Sequence, residues 1–358
     1  MGGHTAAATF STRIMSGIRR PGLVIAGIVA ALLAAGGGIG YGWLFRNNIK
    51  PDKPAYLHVA TGTDYETLLR QMDSIGLLKN RHSFRMVAKL RHLPGHLKPG
   101  RYAVPSGTSN YTLTGKLRSG QQEPVRLRFN NIRTLPQLAG RISAQLEADS
   151  AGLVELLQDE ELLARYGMTP ATAICLFLPN TYECWWNTSD SALIERMYRE
   201  YCSFWNEKRM DEAMSIPLSP QEVMTLASIV EEETNRPEEQ PRVAGLYINR
   251  LRKGMKLQSD PTVKFALGDF GRKRMLYADL EVNSPYNTYR FAGLPPGPIR
   301  MPSLRAIDAV LNYEHHNYLY MCAKEDFSGT HRFTASAAEH AANANRYHAA
   351  LNQRKIAR

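Results

Sequence analysis

The stretch Ser219-Pro-Gln-Glu-Val-Met-Thr-Leu-Ala-Ser-Ile-Val-Glu-Glu-Glu-Thr234 is the one around which we expect the chain to fold. Its first residues are typical of a helix start, because Ser219 can cap the helix and Pro220 suits the first helical position. Glu222 stands three residues after Ser219 and completes a capping box. The stretch therefore predicts a helix that ends in three consecutive acids.

An apolar stripe along this helix leads to one of the three acids. Val223, Leu226 and Val230 recur at helical spacing, so one face is predicted to pack against a core. Glu233 continues that face, while its two acidic neighbours point elsewhere. Burial against apolar side chains removes hydration and raises the pKa of a carboxyl group, which suits Glu233 to general acid chemistry near neutral pH. From the helix alone, the alternative is a solvated charge run at a fraying end.

Composition limits the class of protein. The chain has 358 residues, with 44% hydrophobic and 22% charged content, which is enough for two folded domains beside a membrane anchor. The formal charge of +11 predicts an anionic partner or a membrane surface. No zinc-finger spacing, basic heptad region or RNP-like motif is present in the sequence, so we expect no nucleic-acid partner. The sequence has no metal-ligand spacing either, and we expect no metal or organic cofactor.

Residues 22–45 form an uncharged run that is long enough to span a bilayer. Arginines precede the run and two aromatic residues lie near its end, where an interfacial anchor belongs: Arg13, Arg19, Arg20, Tyr41 and Trp43. A cleaved signal peptide is the alternative, but its apolar part is usually shorter. We predict a retained single span with a short tail, 1–21, on the inside and a large domain on the outside.

The remaining chain is expected to form a linker and two domains, namely 46–54, 55–122 and 123–358. In the first domain, Tyr56–Ala60 alternates like a strand, Thr63-Asp-Tyr-Glu66 reads as a capping box, and two helices and a strand at Lys98–Val104 follow. This strand-helix-helix-strand order resembles a LysM-like module, which implies glycan binding; a small spacer domain is the alternative. The predicted fold class is α+β, with a mainly helical second domain.

The chain has four cysteines, Cys175, Cys184, Cys202 and Cys322. None of their spacings fits a zinc site or a redox motif. We interpret them as free thiols, with Cys175 and Cys184 as the pair to test for a disulfide.

Several loops of the second domain combine proline and glycine with polar side chains, a pattern typical of loops held in fixed shapes. Together with the acidic helix they supply five motifs in a fixed order: Ala227-Ser-Ile-Val-Glu-Glu-Glu-Thr234, Ile248-Asn-Arg-Leu251, Leu257-Gln-Ser-Asp-Pro-Thr-Val263, Tyr286-Asn-Thr-Tyr289 and Gly293-Leu-Pro-Pro-Gly-Pro-Ile299. In this order, within residues 175–340, they resemble the endolytic murein transglycosylases of the YceG-like family.

The resemblance implies a bacterial inner-membrane lyase with its catalytic domain on the periplasmic side, close to the cell-wall synthesis machinery. Its substrate would be nascent peptidoglycan glycan strands, cut at the β-1,4 bond between N-acetylmuramic acid and N-acetylglucosamine. The sugar's own C6 hydroxyl would replace water, so the product would carry a 1,6-anhydromuramoyl end.

The resemblance also implies roles for particular residues. The acid before Thr234, which is Glu233, would be the catalytic acid and then the base. Positions that match family motifs would bind or orient the sugar: Asn249, Gln258, Asp260, Tyr286 and Asn287. Glu231 is a candidate supporting acid. The family's late His-Thr-Phe segment reads His331-Arg-Phe333 here, which leaves a catalytic and a loop-bracing role for His331 both open.

Two other functions remain open. One is a non-catalytic, membrane-anchored glycan-binding scaffold in which Glu233 is a structural acid. The other is a muramidase that uses water, with Asp260 or Glu231 as the second carboxylate that such hydrolases need.

Overall fold

The computed structural model describes residues 21–50, 52, 56–272 and 275–354. The predicted inside tail, apart from Pro21, and the linker prolines Pro51 and Pro54 lie outside the described residues. The chain divides into two compact units, 1–122 and 123–358. Each unit has its own apolar core.

The first unit begins with one long apolar helix and continues with two short strands and three helices: α1 (Pro21–Phe45), β1 (Tyr56–Val59), α2 (Tyr65–Ser74), α3 (Arg81–Leu90), β2 (Gly100–Ala103) and α4 (Asn110–Ser119). Strands β1 and β2 pair antiparallel, with Tyr56 opposite Ala103. The order β-α-α-β within residues 56–103 is the one predicted. Its likeness to a LysM module stays a prediction.

Side-chain caps fix the starts of α2, α3 and α4. Asp64, not the predicted Thr63, caps α2 by accepting a hydrogen bond from the backbone of Thr67. The start lies one residue later than predicted because both residue types can cap a helix and the sequence does not choose between them. Glu66 forms an ion pair with Arg85 instead of closing a capping box.

Helix α1 is apolar along its whole length, and its segment Gly22–Phe45 is long and apolar enough to cross a membrane. This single N-terminal apolar helix fits a membrane anchor.

The second unit is mainly helical, with two short two-stranded ladders. Its elements are β3 (Val125–Arg128), α5 (Leu135–Ser143), α6 (Ser150–Leu156), α7 (Glu160–Ala164), β4 (Thr181–Cys184), α8 (Asp190–Phe204), α9 (Glu207–Ser215), α10 (Pro220–Glu233), α11 (Gln240–Arg252), α12 (Asp260–Leu267), α13 (Leu304–Leu311), β5 (Tyr320–Ala323), β6 (His331–Thr334) and α14 (Ala337–Gln353). Strand β3 pairs with β4 and β5 with β6, both antiparallel. The described residues thus have the α+β composition expected from the sequence.

Helix α10 lies at the centre of the second unit. It starts as predicted, with Ser219 and Glu222 forming a reciprocal capping box and Pro220 in the first turn. It contacts α9, α11, α12 and α13. Every residue from 223 to 230 is buried, so the helix is enclosed on all sides and not only along the predicted stripe. This enclosure places Glu233, its last residue, at the edge of the core.

All four cysteines are free thiols, and Cys175 and Cys184 are buried. Burial raises the pKa of both of these thiols, which leaves them protonated and unreactive.

Candidate active site

Glu233 lines a cavity of about 390 Å³ in the second unit. Tyr247, from the middle of α11, donates a hydrogen bond of 2.7 Å from its hydroxyl to Glu233 Oε1. Ser259, from the loop before α12, donates a second hydrogen bond from its hydroxyl to the same oxygen. Glu233 Oε2 accepts no hydrogen bond from the described residues. One oxygen of the carboxyl group is thus held in place and the other is open to a reacting partner.

The environment of Glu233 favours its protonated form. Burial raises the pKa of the Glu233 carboxyl, and the nearby charge of Asp260 raises it further. The hydrogen bonds from Ser259 and Tyr247 oppose this effect and lower the pKa, as does the proximity of His331. Burial is the largest of these effects, so the carboxyl holds its proton to higher pH than an exposed glutamic acid does.

The cavity walls come from six parts of the chain and combine charged, polar and apolar side chains. Besides Glu233, the lining consists of Leu246, Tyr247, Arg250, Leu257, Gln258, Asp260, Tyr289, Met321 and His340. Asp260 is exposed and accepts a hydrogen bond of 2.6 Å from the Tyr289 hydroxyl. Both predicted residues of the Gln-Ser-Asp motif, Gln258 and Asp260, therefore lie at the same cavity as Glu233.

A hydrogen-bonded loop holds Ser259 against Glu233. The backbone amides of Gln258 and Ser259 donate to the carbonyl and hydroxyl oxygens of Thr288, at 3.1 and 3.0 Å. Thr262 bonds the same hydroxyl at 2.9 Å. Gln258 takes a left-handed backbone conformation, with a φ of 52°. A non-glycine residue in that region carries backbone strain, which the contacts around it must offset.

Arg250 is a second brace for this loop. Its buried guanidinium donates to the backbone carbonyls of Leu257 and Leu319, at 2.7 and 2.6 Å. It thereby joins the loop before α12 to the residue that precedes β5. The sequence gives no sign of this role for Arg250 beyond its place in the Ile-Asn-Arg-Leu motif.

The buried hydroxyl of Ser228 links α10 to the proline-rich loop. It accepts a hydrogen bond of 3.0 Å from the backbone amide of Ile299 and donates to the carbonyl of Thr225. In the same loop, a Cβ on Gly297 would lie 2.0 Å from the carbonyl oxygen of Ala171. Only glycine fits there, which explains one of the motif glycines by close packing.

Three residues that the sequence analysis placed around the sugar do not line this cavity. Asn249 donates to the carbonyls of His316 and Tyr318, at 2.7 and 3.1 Å. Asn287 is fully buried, and its amide nitrogen donates to two loop carbonyls. Tyr286 packs against Phe265 with ring centroids 4.7 Å apart and lines a different, smaller cavity. Asn249 and Asn287 thus satisfy backbone carbonyls of neighbouring loops, as buried amides commonly do. A sugar-binding role for Asn249, Tyr286 and Asn287 stays a prediction.

Glu231 and Glu232 also lie away from the cavity. Glu231 accepts a hydrogen bond of 2.9 Å from the backbone amide of Ser303, which caps α13. Glu232 forms ion pairs with Arg133 and Arg300, at 2.8 and 2.6 Å. The acids are not a frayed, solvated run, since each carboxylate has a partner. Glu231 does not line the cavity that a supporting acid would have to share with Glu233.

His331 is joined to a buried acid. Its Nδ1 donates to Glu239 Oε2 at 2.9 Å, and its backbone amide donates to Oε1 at 2.9 Å. Thr234, the residue after Glu233, donates to the same carboxylate at 3.3 Å. These contacts fit the bracing interpretation of His331, with the Glu239 carboxylate tying β6 to the end of α10.

His340 presents an unsatisfied group at the cavity. Its ring stacks on Tyr320 with centroids 5.3 Å apart, and its Nδ1 is buried without a hydrogen-bond partner among the described residues. Burial lowers the pKa of His340, and the charge of Arg250 lowers it further, which keeps the ring neutral. A lone histidine in a C-terminal helix gave no signal in the sequence.

Among the described residues no group of three histidine, cysteine, aspartate or glutamate side chains is placed to hold a metal ion. The chemistry open to this site from its own residues is proton transfer by Glu233, within a wall of fixed hydrogen-bond donors.

Comparison with known proteins agrees with the motifs. Residues 57–346 match the YceG-like family. The protein named "Endolytic murein transglycosylase" from Bacillus subtilis (strain 168) is 27% identical over 342 residues, covering 90% of this chain and 93% of that protein. The protein of the same name from Streptococcus pneumoniae (strain ATCC BAA-255 / R6) is 27% identical over 339 residues, covering 83% of this chain and 60% of its own length.

A solved structure shares the fold. The 2.6 Å crystal structure of a YceG-like protein from Listeria monocytogenes superposes with a TM-score of 0.54 and 28% identity, covering 80% of this chain and 97% of that one. The family match spans most of the chain and includes every residue that lines the cavity around Glu233. The chain belongs to the YceG-like family.

Proposed function

We propose that this protein is an endolytic peptidoglycan lytic transglycosylase, a carbon–oxygen lyase that acts on a polysaccharide. The observation that carries the proposal is the state of Glu233, a carboxyl group whose pKa burial raises and whose Oε1 is fixed by two hydroxyl donors. The names of the relatives and the family support the same activity.

In the first step, Glu233 acts as general acid. Its protonated Oε2, which has no partner in the described residues, gives its proton to the glycosidic oxygen between N-acetylmuramic acid and N-acetylglucosamine. The C1–O bond then breaks, its electron pair leaves with the N-acetylglucosamine oxygen, and positive charge develops at C1 of the muramoyl ring. Hydroxyl donors on Oε1 stabilise the carboxylate that forms at this moment.

In the second step, the same carboxylate acts as base. It takes the proton of the muramoyl C6 hydroxyl while that oxygen bonds to C1, which closes the 1,6-anhydro ring and returns Glu233 to its protonated form. Hydrolases need a second carboxylate to activate water or to attack the sugar. A lyase that uses the sugar's own hydroxyl needs one group that first gives and then takes a proton.

Other cavity residues then take supporting roles. Gln258, Asp260 and His340 line the cavity as hydrogen-bonding groups for hydroxyl and N-acetyl substituents. Asp260 is the carboxylate that a water-using muramidase would recruit, because it lies at the same cavity. The nature of the product end separates the two reactions.

The proposed setting is the bacterial inner membrane, with α1 as a single anchor and the catalytic unit on the periplasmic side. Nascent, uncrosslinked glycan strands would be the substrate and the cell-wall synthesis machinery the neighbour. The β-α-α-β part of the first unit would bind glycan as a LysM-like module.

The test uses full-length protein in detergent micelles with uncrosslinked glycan strands, and mass spectrometry of the released products. We expect anhydromuramoyl ends from the wild type and a loss of about 10²- to 10⁴-fold in rate from Glu233→Gln, the usual contribution of a general acid. Glu222→Gln is a matched control, since Glu222 lies in the first turn of the same helix and makes only the capping box.

Two results would overturn the proposal. Reducing ends from the wild type would identify a muramidase. Strand binding without any cleavage would identify a glycan-binding scaffold, in which Glu233 is structural.

A further inference from the structure

A second cavity, of about 590 Å³, lies in the first unit, where α1 meets the residues that follow it. One wall is the last three turns of α1, with Ala35, Gly38, Ile39, Gly42 and Trp43. The opposite wall is polar and consists of Arg46, Asn47, Asn48, Lys79, Asn80, Ser83 and Asn110. The proposed catalysis uses none of these residues.

The cavity changes character along the helix axis. Its apolar lining begins at Ala35 and its cationic lining ends at Arg46, which at 1.5 Å per residue is a distance of about 16 Å. Gly38 has open space around the position of a Cβ, so the helix face is unfilled there. If α1 is the anchor, the apolar end lies at the depth of acyl chains and the cationic end at the depth of headgroups.

Two cations line the polar end, and no acidic residue does. Arg46 and Lys79 are exposed, and neither side chain has a hydrogen-bond or ion-pair partner among the described residues. By contrast, Arg300 of the second unit is paired with the Glu232 carboxylate. The cavity therefore offers uncompensated positive charge at the expected membrane surface.

The cavity wall is built from a buried hydrogen-bond network that holds its shape. Asn110 donates to the carbonyl oxygen of Trp43 at 2.8 Å and to the hydroxyl of Ser83 at 3.0 Å. Asn48 donates to the carbonyl of Asn80 and to the Asn110 side chain, at 2.8 and 2.7 Å. Since Asn48 and Asn110 are buried, this network fixes the end of α1 against α3 and α4.

From the cavity, its polarity gradient and its unpaired cations, we propose that the first unit binds a membrane lipid with a phosphate headgroup. The acyl or prenyl chain would lie along Ala35–Gly42, and the phosphate oxygens would accept hydrogen bonds from Arg46, Lys79 and the neighbouring amides. This inference rests on the membrane anchor of the proposed function. It does not depend on the lyase activity.

The phosphate could come from two sources. Anionic phospholipids carry one in the bilayer around the anchor. A lipid-linked glycan carries a diphosphate on a polyprenyl chain, and binding it here would retain a nascent strand beside the enzyme. Both sources combine an apolar chain of methylene or isoprene units with a phosphate, joined directly or through glycerol, and the cavity fits this combination.

The experiment is native mass spectrometry of the full-length protein released from micelles doped with one probe lipid at a time. The probes are phosphatidylglycerol, undecaprenyl diphosphate and, as the zwitterionic control, phosphatidylcholine. We compare wild type with the double variant Arg46→Gln/Lys79→Gln. A second double variant, Lys89→Gln/Arg118→Gln, removes the same charge from exposed positions of the same unit that do not line the cavity.

We expect the cavity variant to bind the anionic probes about thirtyfold more weakly, because each cation near a membrane surface contributes about 1 kcal/mol and each 1.4 kcal/mol is tenfold in affinity. The surface variant should change binding by less than about threefold, since exposed charges farther away are screened. Stronger binding of undecaprenyl diphosphate than of phosphatidylglycerol would identify the lipid-linked strand as the source, and the reverse would identify the bilayer lipid.

A pair of glycine substitutions tests the apolar end. Gly38→Leu places a side chain in the cavity and should weaken binding of both anionic probes, whereas Gly36→Leu lies on the same helix outside the cavity and should not. Equal effects of the two double variants, or equal effects of the two leucines, would overturn the proposal. If alkali extracts the protein from membranes, α1 is not an anchor and this inference loses its basis. Glycan cleavage is measured separately and reports on the lyase.

Discussion

Tyr247→Phe removes one of the two hydroxyl groups that fix Glu233 and gives a prediction whose size follows from the structure. The hydroxyl donates at 2.7 Å to Oε1, and the tyrosine is 2% exposed, so the donor is specific and the phenyl ring can keep its place. Hydrogen bonds to a charged group contribute about 1.5–3 kcal/mol. Ser259 still donates to the same oxygen, so the lower value applies.

A loss of about 1.5 kcal/mol of carboxylate stabilisation corresponds to about one pKa unit, at 1.36 kcal/mol per unit. The direction is upward, because the hydrogen bond favours the charged form. Glu233 must carry its proton to begin the reaction, so activity falls as pH rises through its pKa. We therefore expect the alkaline limb of kcat/KM to move about one pH unit higher in Tyr247→Phe.

The assay is the rate of strand cleavage across a pH series, with Tyr182→Phe as the matched control. Tyr182 is also a buried tyrosine that donates a 2.7 Å hydrogen bond, but its acceptor is the carbonyl of Leu178. Its variant should leave the alkaline limb in place. An alkaline limb of Tyr247→Phe that is unmoved, or that moves to lower pH, would refute the assignment of Glu233 as the acid whose pKa this hydroxyl controls.

Three further predictions concern the same unit. Asp260→Asn should keep anhydromuramoyl ends and lose less than about tenfold in rate, the effect of one hydrogen bond; reducing ends that vanish in this variant would instead assign Asp260 to a hydrolase. Gly245→Ala should destabilise the protein by about 1–3 kcal/mol, because its Cβ would lie 2.3 Å from the carbonyl oxygen of Glu314. Gly140→Ala, in open space on α5, should instead stabilise it by about 0.5–1 kcal/mol. Urea unfolding curves of both variants give the sign of each change in the free energy of unfolding. Glu233→Gln should raise the melting temperature at neutral and alkaline pH. The pKa of Glu233 is raised in the folded state, so the wild type loses stability as pH rises from the unfolded pKa through the folded pKa. The difference in melting temperature between variant and wild type should shrink below the usual glutamate pKa of about 4.3. Melting scans that show a pH-independent difference would contradict the last prediction.

The central helix and its acid were accessible from sequence because both depend on local rules. A capping box and an apolar period predict α10, and the structure confirms its start at Pro220. The same period continues to Glu233, whose carboxyl reaches a cavity. Local patterns did not show that α10 is buried on every side, since its additional neighbours come from distant parts of the chain.

Loop residues were harder to interpret for a physical reason. Asn249 and Asn287 have the side chains that a sugar site uses, yet the same amides satisfy buried carbonyls. Which of these two uses applies depends on tertiary contacts that no motif encodes.

The two residues whose hydroxyl groups bond Glu233 are the opposite case, since they lie in the site but were not predicted from sequence. The sequence does not single out Tyr247, because only its hydroxyl distinguishes it from a core aromatic residue. Ser259 lay inside a quoted motif, but serine is common in loops. Tyr247 and Ser259 bond the same oxygen of Glu233 from two different elements, α11 and the loop before α12. Ser259 is 26 residues from Glu233 in sequence, so a local pattern does not reveal this contact.

The most direct test of the account is the origin of the oxygen at the new muramoyl end. The full-length enzyme would cleave uncrosslinked strands in water enriched in heavy oxygen, and mass spectrometry would read the products. A lyase that uses the C6 hydroxyl predicts ends that are lighter than a reducing end by one water and carry no label. Reducing ends that carry the heavy oxygen would contradict the account, because water would then have been the nucleophile.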